Sequence, residues 1–295
     1  MSLMSQSIAS GILIGGLYAL MSLGMSLNWG VLKIINLAHF SFILLSAYVT
    51  YQLASVYGWD PFFAIIVTVP LFALGGMALQ WAFERFRISE FESLLLTFGL
   101  FIIFESLATS VWSADFRRID SAANPYASSS LTIGPISLSI PTLSAFVLAI
   151  GIAFGTRYLL EQTHFGRAVR ALAHDREIAG AFGVNHRTVS MQLAGLAGAY
   201  AALAGVFIAM SSSLFPGIAV EWFGIVFSVV ILGGLGSTMG TLLAGVIIGT
   251  VGAIATVLWG PSTAPLVVFL ILIATLLFKP CLLYTSDAAD EGVEG

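Results

Sequence analysis

Residues 156–187, TRYLLEQTHFGRAVRALAHDREIAGAFGVNHR, form the only long stretch dense in charge within a chain otherwise built of hydrocarbon-soluble segments. Five arginines lie in it: Arg157, Arg167, Arg170, Arg176 and Arg187. Basic residues near span ends stay on the cytoplasmic side of a membrane, so the stretch reads as a cytoplasmic loop that fixes orientation. Outward from it, the runs 34–59, 61–83 and 93–114 carry no Asp, Glu, Lys or Arg except Glu105. Each reaches the roughly 20 residues that a spanning helix needs. The chain of 295 residues is 58% hydrophobic and 9% charged, where soluble domains carry about 25% charge. Soluble packing is thereby excluded, and the expected fold class is all-α, a polytopic transmembrane helix bundle.

Charged breaks divide the chain into helices near 6–30, 34–57, 61–83, 93–114, 141–160 and 188–210, followed by an uncharged run over 222–278. Gly233-Gly234-Leu235-Gly236 and Trp259-Gly260-Pro261 are turn signals that cut this run into three helices. The expected count is nine spans, or eight if 34–57 is a broken or re-entrant helix. With the loop 161–187 inside, alternation places Lys33, Arg85 and Arg87 inside as well, and the segment 115–140 outside as a periplasmic loop. There Arg117 and Arg118 are expected to be offset by Asp115 and Asp120. The outer segment is polar and broken at Asn124-Pro125 and Gly134-Pro135, as a surface loop is, and serves either as a docking surface or as a plain connector.

The N-terminal stretch has no charged n-region and is long enough to span, so the first helix is expected to remain as an anchor. The net charge of −4 resides in Asp287, Asp290, Glu291 and Glu294, and the rest of the chain is neutral. Residues 281–295 therefore read as a disordered or foreign tail, set apart from a membrane domain over 1–280. The single cysteine, Cys281, excludes an intramolecular disulfide, and the four histidines are too scattered for a metal site.

Within the charged loop, Gly166 and Gly183 bracket a helical stretch, and His174-Asp175 offers a break with an N-cap for the segment from Arg176 to Phe182. Ile178 and Phe182, four apart, share one helix face. A short amphipathic helix flanked by arginines suits a groove on a soluble partner, whereas a solvated connector is the plainer reading. In the membrane, Gly245 and Gly249 make a G-x-x-x-G pattern suited to close helix packing, and Gly233, Gly234 and Gly236 suit packing or an unwound helix beside a pathway. Glu105, mid-segment, must be protonated, paired or turned to a wet cavity, and so either lines a pathway or bonds a neighbouring helix. Asn36 and His39, three apart, are placed on one helix face. Thr97 and Ser106 are expected only to bond their own helix backbone.

Four segments resemble, in order and spacing, the permease family of high-affinity branched-chain amino-acid ABC importers, which also includes urea, amide and ribose-type permeases. They are GLYALMSLGMSLNWGVLKIINLAHFSFILLSAYV, LLLTFGLFIIFESLATSVW, HFGRAVRALAHDREIAGAFGVN and VVILGGLGSTMGTLLAGVIIG. The resemblance implies a multi-pass protein of the bacterial inner membrane that pairs with a second permease, identical or different. It further implies two cytoplasmic ATPase subunits, a periplasmic solute-binding protein, and no nucleic acid. It makes Gly166, Arg167, Arg170, Ala171, Asp175, Ile178, Ala179, Phe182 and Gly183 the coupling set. Asn36, His39, Glu105, Gly233, Gly234 and Gly236 become pathway candidates. KIINLAHFSF resembles an Asn-x-Ala-His-Gly signature with Phe40 in place of glycine, which argues against a sharp helix break there.

No G-x-x-x-x-G-K-[ST] phosphate cradle occurs, so ATP belongs to partner subunits and no cofactor is expected on this chain. Neither a nucleophile paired with a base nor a metal-ligand spacing appears, which disfavours an embedded enzyme. The alternative to an ATP-driven permease subunit is a proton-coupled secondary transporter in which Glu105 or His39 carries the proton.

Overall fold

The computed structural model describes residues 2–278 except 121–122, 127–128 and 135. The tail 281–295 lies outside the described residues. The helices are α1 Ser2–Leu27, α2 Ala38–Tyr51, α3 Ala64–Phe86, α4 Glu90–Trp112, α5 Ile140–Gln162, α6 His164–His174, α7 Arg176–Ala181, α8 His186–Ser211, α9 Ile218–Gly233, α10 Thr238–Trp259 and α11 Thr263–Phe278. Six of them, α1, α3, α4, α5, α8 and α10, are long and apolar enough to cross a membrane. Together with the shorter α2, α9 and α11 they fill the nine expected positions, and α6 and α7 occupy the charged loop.

Local chemistry accounts for most boundaries. Ser89 and Glu92 form a capping box at the start of α4, the Ser89 hydroxyl accepting from the Glu92 amide and the Glu92 carboxylate from the Ser89 amide. Asn185 and Ser237 cap α8 and α10 by accepting from the amides of Thr188 and Gly240. The run 222–278 breaks at the two glycine turns read from sequence, with Gly234 at φ 87° and Gly260 at φ 98°, a region that favours glycine.

Two departures stand out. The helix expected over 34–57 begins only at Ala38. Upstream, α1 widens into a π-helical turn over Asn28–Leu32, Lys33 takes a left-handed conformation at φ 56°, and residues 33–36 are not helical. A sharp break therefore exists, but it precedes Phe40 rather than falling on it. The second departure is a short antiparallel hairpin, β1 Ser130–Ile133 and β2 Ile136–Ser139, inside the outer loop.

Contacts sort the connections into two opposite ends. At one, Gln6 exchanges two hydrogen bonds with the backbone of Ser137, the Tyr126 hydroxyl donates to Asp60 at 2.7 Å, Asn124 donates to the Met210 carbonyl, and Arg117 and Leu214 pair backbones. The Asp60 carboxylate holds the Tyr126 phenol above its ordinary pKa. At the other end, His186 meets Glu84 at 3.6 Å, Gly30 lies against Gly236, and α6 packs on Asn28–Leu32. This is the alternation expected of nine crossings. Arg117 forms no ion pair with Asp115 or Asp120 among the described residues; its guanidinium donates to the Trp112 carbonyl and the Ser113 hydroxyl, which itself donates to Asp115.

Lipid is as apolar as leucine, so helices join through close packing rather than hydrophobic exclusion. Gly11 and Gly15 of α1 meet Gly245 and Gly249 of α10: a Cβ on Gly15 would lie 2.5 Å from the Val246 Cα, and one on Gly249 2.5 Å from the Gly11 carbonyl oxygen. The G-x-x-x-G pattern thus has a matching partner pattern on α1. On α8, a Cβ at Gly198 would overlap the Phe72 carbonyl of α3, and one at Gly205 the Ile43 carbonyl of α2. Helix α2, buried along nearly its whole length, is the centre of the bundle.

Candidate functional site

The charged loop folds as two helices for local reasons. The Thr163 hydroxyl accepts from the Gly166 amide at 3.1 Å and starts α6; the Asp175 carboxylate accepts from the Ile178 amide at 2.9 Å and starts α7. Gly183, at φ 83°, ends α7, with its amide on the Gly180 carbonyl and the Val184 amide on the Ala179 carbonyl, the paired bonds of a glycine C-terminal cap.

Val169, Leu172 and Ala179 face inward, onto Asn28–Leu32 and α8, while Arg167 and Arg170 are exposed. Ile178 is 58% exposed and Phe182 85%, so the shared apolar face expected of this pair is open. Two members of the expected coupling set do not reach that surface. Gly166 is buried against the Leu159 and Leu160 carbonyls and Ala179 is 4% exposed, so both hold the helices onto the bundle; Ala171 is half-buried.

Just beneath, Asn28, Asn36 and Gln80 line a cavity of about 10 Å³ with Gly76 and Phe83, room for about one water. The side-chain oxygens of Asn28 and Asn36 are buried and accept no hydrogen bond among the described residues. Asn36 is not on a helix face with His39, as its spacing suggested. It lies in the break before α2, and its carbonyl accepts from the His39 amide at the start of the helix. The His39 ring is buried beside Gly24, with Nε2 2.9 Å from the Met21 carbonyl oxygen. Phe40 packs against Phe223 with ring centroids 4.2 Å apart, filling the space a glycine would leave.

The remaining pathway candidates separate. Gly233 ends α9, and Gly234 and Gly236 lie in the turn over 234–237 that leads to α10 rather than in an unwound helix; the Gly236 amide donates to the Ser26 carbonyl and hydroxyl, both at 3.1 Å. Glu105 sits half-exposed on α4, its carboxylate near Gly217 toward the hairpin end, away from Asn36. Its side chain bonds no neighbouring helix among the described residues, against one of the two roles its position allowed.

Three residues carry more than their sequence context signalled. Thr97 donates to its own helix at the Ser93 carbonyl, as expected, but also accepts from the Leu37 amide at 3.1 Å and so pins the break to α4. Asn28 and Gln80 were legible only as amides inside apolar runs, a signal that marks functional positions in membranes.

Residues 7–276 match the family described as "Branched-chain amino acid transport system / permease component". The chain is 24% identical over 294 residues to the high-affinity branched-chain amino acid transport system permease protein BraD of Pseudomonas aeruginosa, covering 93% of this chain and 94% of that protein. It is 25% identical to the corresponding permease protein LivH of Escherichia coli K12, with 93% of each covered. A probable branched-chain amino acid transport permease protein LivH of Methanocaldococcus jannaschii is 24% identical over 91% of this chain and 89% of its own length. No solved structure matches the chain. With the match running along nearly its whole length, the chain belongs to the branched-chain amino acid permease family and is a multi-pass membrane protein.

Proposed function

We propose that this chain is the membrane-spanning subunit of an ATP-driven importer, translocating branched-chain or related small amino acids and amides that a periplasmic binding protein delivers. It sits in the bacterial inner membrane, pairs with a second permease, identical or different, and receives work from two cytoplasmic ATPase subunits. The observation that carries this reading is the open apolar pair of Ile178, on the capped helix α7, and Phe182, in the turn just past its end, flanked in sequence by arginines, a shape suited to a groove on a soluble protein. The printed names of the relatives support the substrate class.

The chain's own part is mechanical. Pressure on α6 and α7 bears on Asn28–Leu32, against which α6 packs. From there it passes along two routes: through Lys33 and the break into α2 with His39, and through Gly30 and Gly236 into α10. Two arrangements of these helices would expose a central path to alternate sides.

Phe182→Asp tests the reading. Paired ATPase subunits should no longer co-purify and L-leucine uptake in proteoliposomes should fall to background, with the variant's thermal unfolding unchanged. Retained co-purification and uptake would overturn it, as would wild-type uptake that persists without ATP and collapses with a protonophore.

A further inference from the structure

Toward the hairpin end, α1, α5, α8 and α9 enclose a cavity of about 310 Å³. Leu17, Met21, Ile208 and Ile225 give it apolar walls, and Glu221, in the first turn of α9, is exposed to it. No Lys, Arg or His lines the space, and Glu221 forms no ion pair among the described residues. The hydroxyls of Tyr18 and Ser212, also in the lining, make no hydrogen bond among the described residues, whereas Thr142 and Ser211 are already committed to backbone carbonyls. An adjoining cavity of about 190 Å³ shares Ile14, Tyr18 and Ile225 and continues between Ile248 and Val268.

A carboxylate beside apolar walls with no cation of its own favours a guest that brings one. Uncommitted hydroxyl donors suit the guest's anionic end, and the adjoining apolar space suits a branched hydrocarbon. We infer that this cavity binds an α-amino acid on its way through the chain, with Glu221 holding the ammonium, Tyr18 and Ser212 the carboxylate, and the isoleucine walls the side chain. The floor residue Met21 carries the carbonyl that meets His39, so a bound solute rests directly above the buried histidine. This inference rests on the importer reading and assigns the site within it.

The test uses the full chain in nanodiscs with Cys281→Ser and a reporter Ser211→Cys, in the lining but already committed to its own helix. A small thiol reagent should modify the reporter. L-Leucine should protect it, and 4-methylpentanoate, which keeps the hydrocarbon but lacks the ammonium, should not. Adding Glu221→Gln should weaken protection by about tenfold in leucine concentration, the scale of one hydrogen bond to a charged group; Glu221→Asp should restore most of it. Thr142→Cys is the second reporter if the first fails to insert. In proteoliposomes holding the complete importer, Glu221→Gln should raise the KM for leucine by a similar factor. Equal protection by both compounds, or protection indifferent to Glu221→Gln, overturns the site. Wild-type importer that takes up no leucine overturns the function reading instead, because the labelling arm does not depend on the ATPases.

Discussion

Helices α8 and α4 are equally apolar and live in opposite surroundings. Their most apolar windows have mean hydropathies of 1.9 and 2.0, yet 83% of the first and 17% of the second is buried inside the protein. Hydropathy cannot separate the two, since hydrocarbon solvates leucine as well as a protein interior does. Small residues separate them. Gly195, Gly198 and Gly205 of α8 each lie against a neighbouring helix, α3 or α2, while a Cβ on Gly99 of α4 would meet nothing within 4 Å. Helix α4 instead turns Ile102, Ile103, Leu107 and Val111 outward. In this bundle the centre is marked by what its helices lack.

The sharpest way to break that contrast is to add the same side chain to both. Gly198→Leu drives a side chain into the Phe72 carbonyl and should cost at least the about 3 kcal/mol at the top of the usual overpacking range, removing monodisperse protein from detergent extracts. Gly99→Leu should stay within about 1 kcal/mol of the parent. Equal losses for the two would refute the division between inner and outer helices.

Thr97→Val probes a buried polar link that α4 makes to the centre. It leaves the Leu37 amide without its acceptor, a loss of about 1–3 kcal/mol visible in thermal unfolding, and Thr97→Ser should recover it. No shift in the valine variant would mean that the Thr97 bond does not hold α4 to the break. The smallest effect belongs to the rim: Gln6→Ala removes two exposed bonds to Ser137 and should cost less than about 1 kcal/mol. Amide exchange at Ser137 should quicken while α8 stays protected; slowed or unchanged exchange would remove the hairpin's tie to α1.

The sequence was most readable where structure is set by neighbours along the chain. Thr163, Asp175 and Gly183 cap the loop helices through bonds spanning three to five residues, so the break at Asp175 and the end at Gly183 were legible, whereas the start lies at His164, two residues before the expected limit Gly166. The glycine turns of 233–236 and 259–261 were legible for the same reason. The break at 33–36 was legible only in part: the charge of Lys33 marked a boundary with the next helix expected from 34, but Ile34, Ile35 and Asn36 carry no local stop signal. The conformation there is held from afar, by Thr97 of α4 and by Gly236 against Gly30. With the helix expected to resume at 34 rather than Ala38, the three-residue spacing of Asn36 and His39 reads as a shared face that does not exist. Glu105 misleads in another way: a carboxylate in an apolar run signals a special place, but its neighbour Gly217 lies more than a hundred residues away. The hairpin is hidden because its strands are four residues each, too short for alternation to stand out from a polar loop.

The seam between α1 and α10 is bare backbone, glycine against glycine, with few rotamers to rearrange when one helix moves. Such a pair behaves as a beam. Helix α10 has 22 residues, about 33 Å at 1.5 Å each, so a tilt of a few degrees introduced at Gly236 would swing its far tip by a few ångströms. A nudge at the Gly236 end would then be delivered nearly undamped to the opposite mouth.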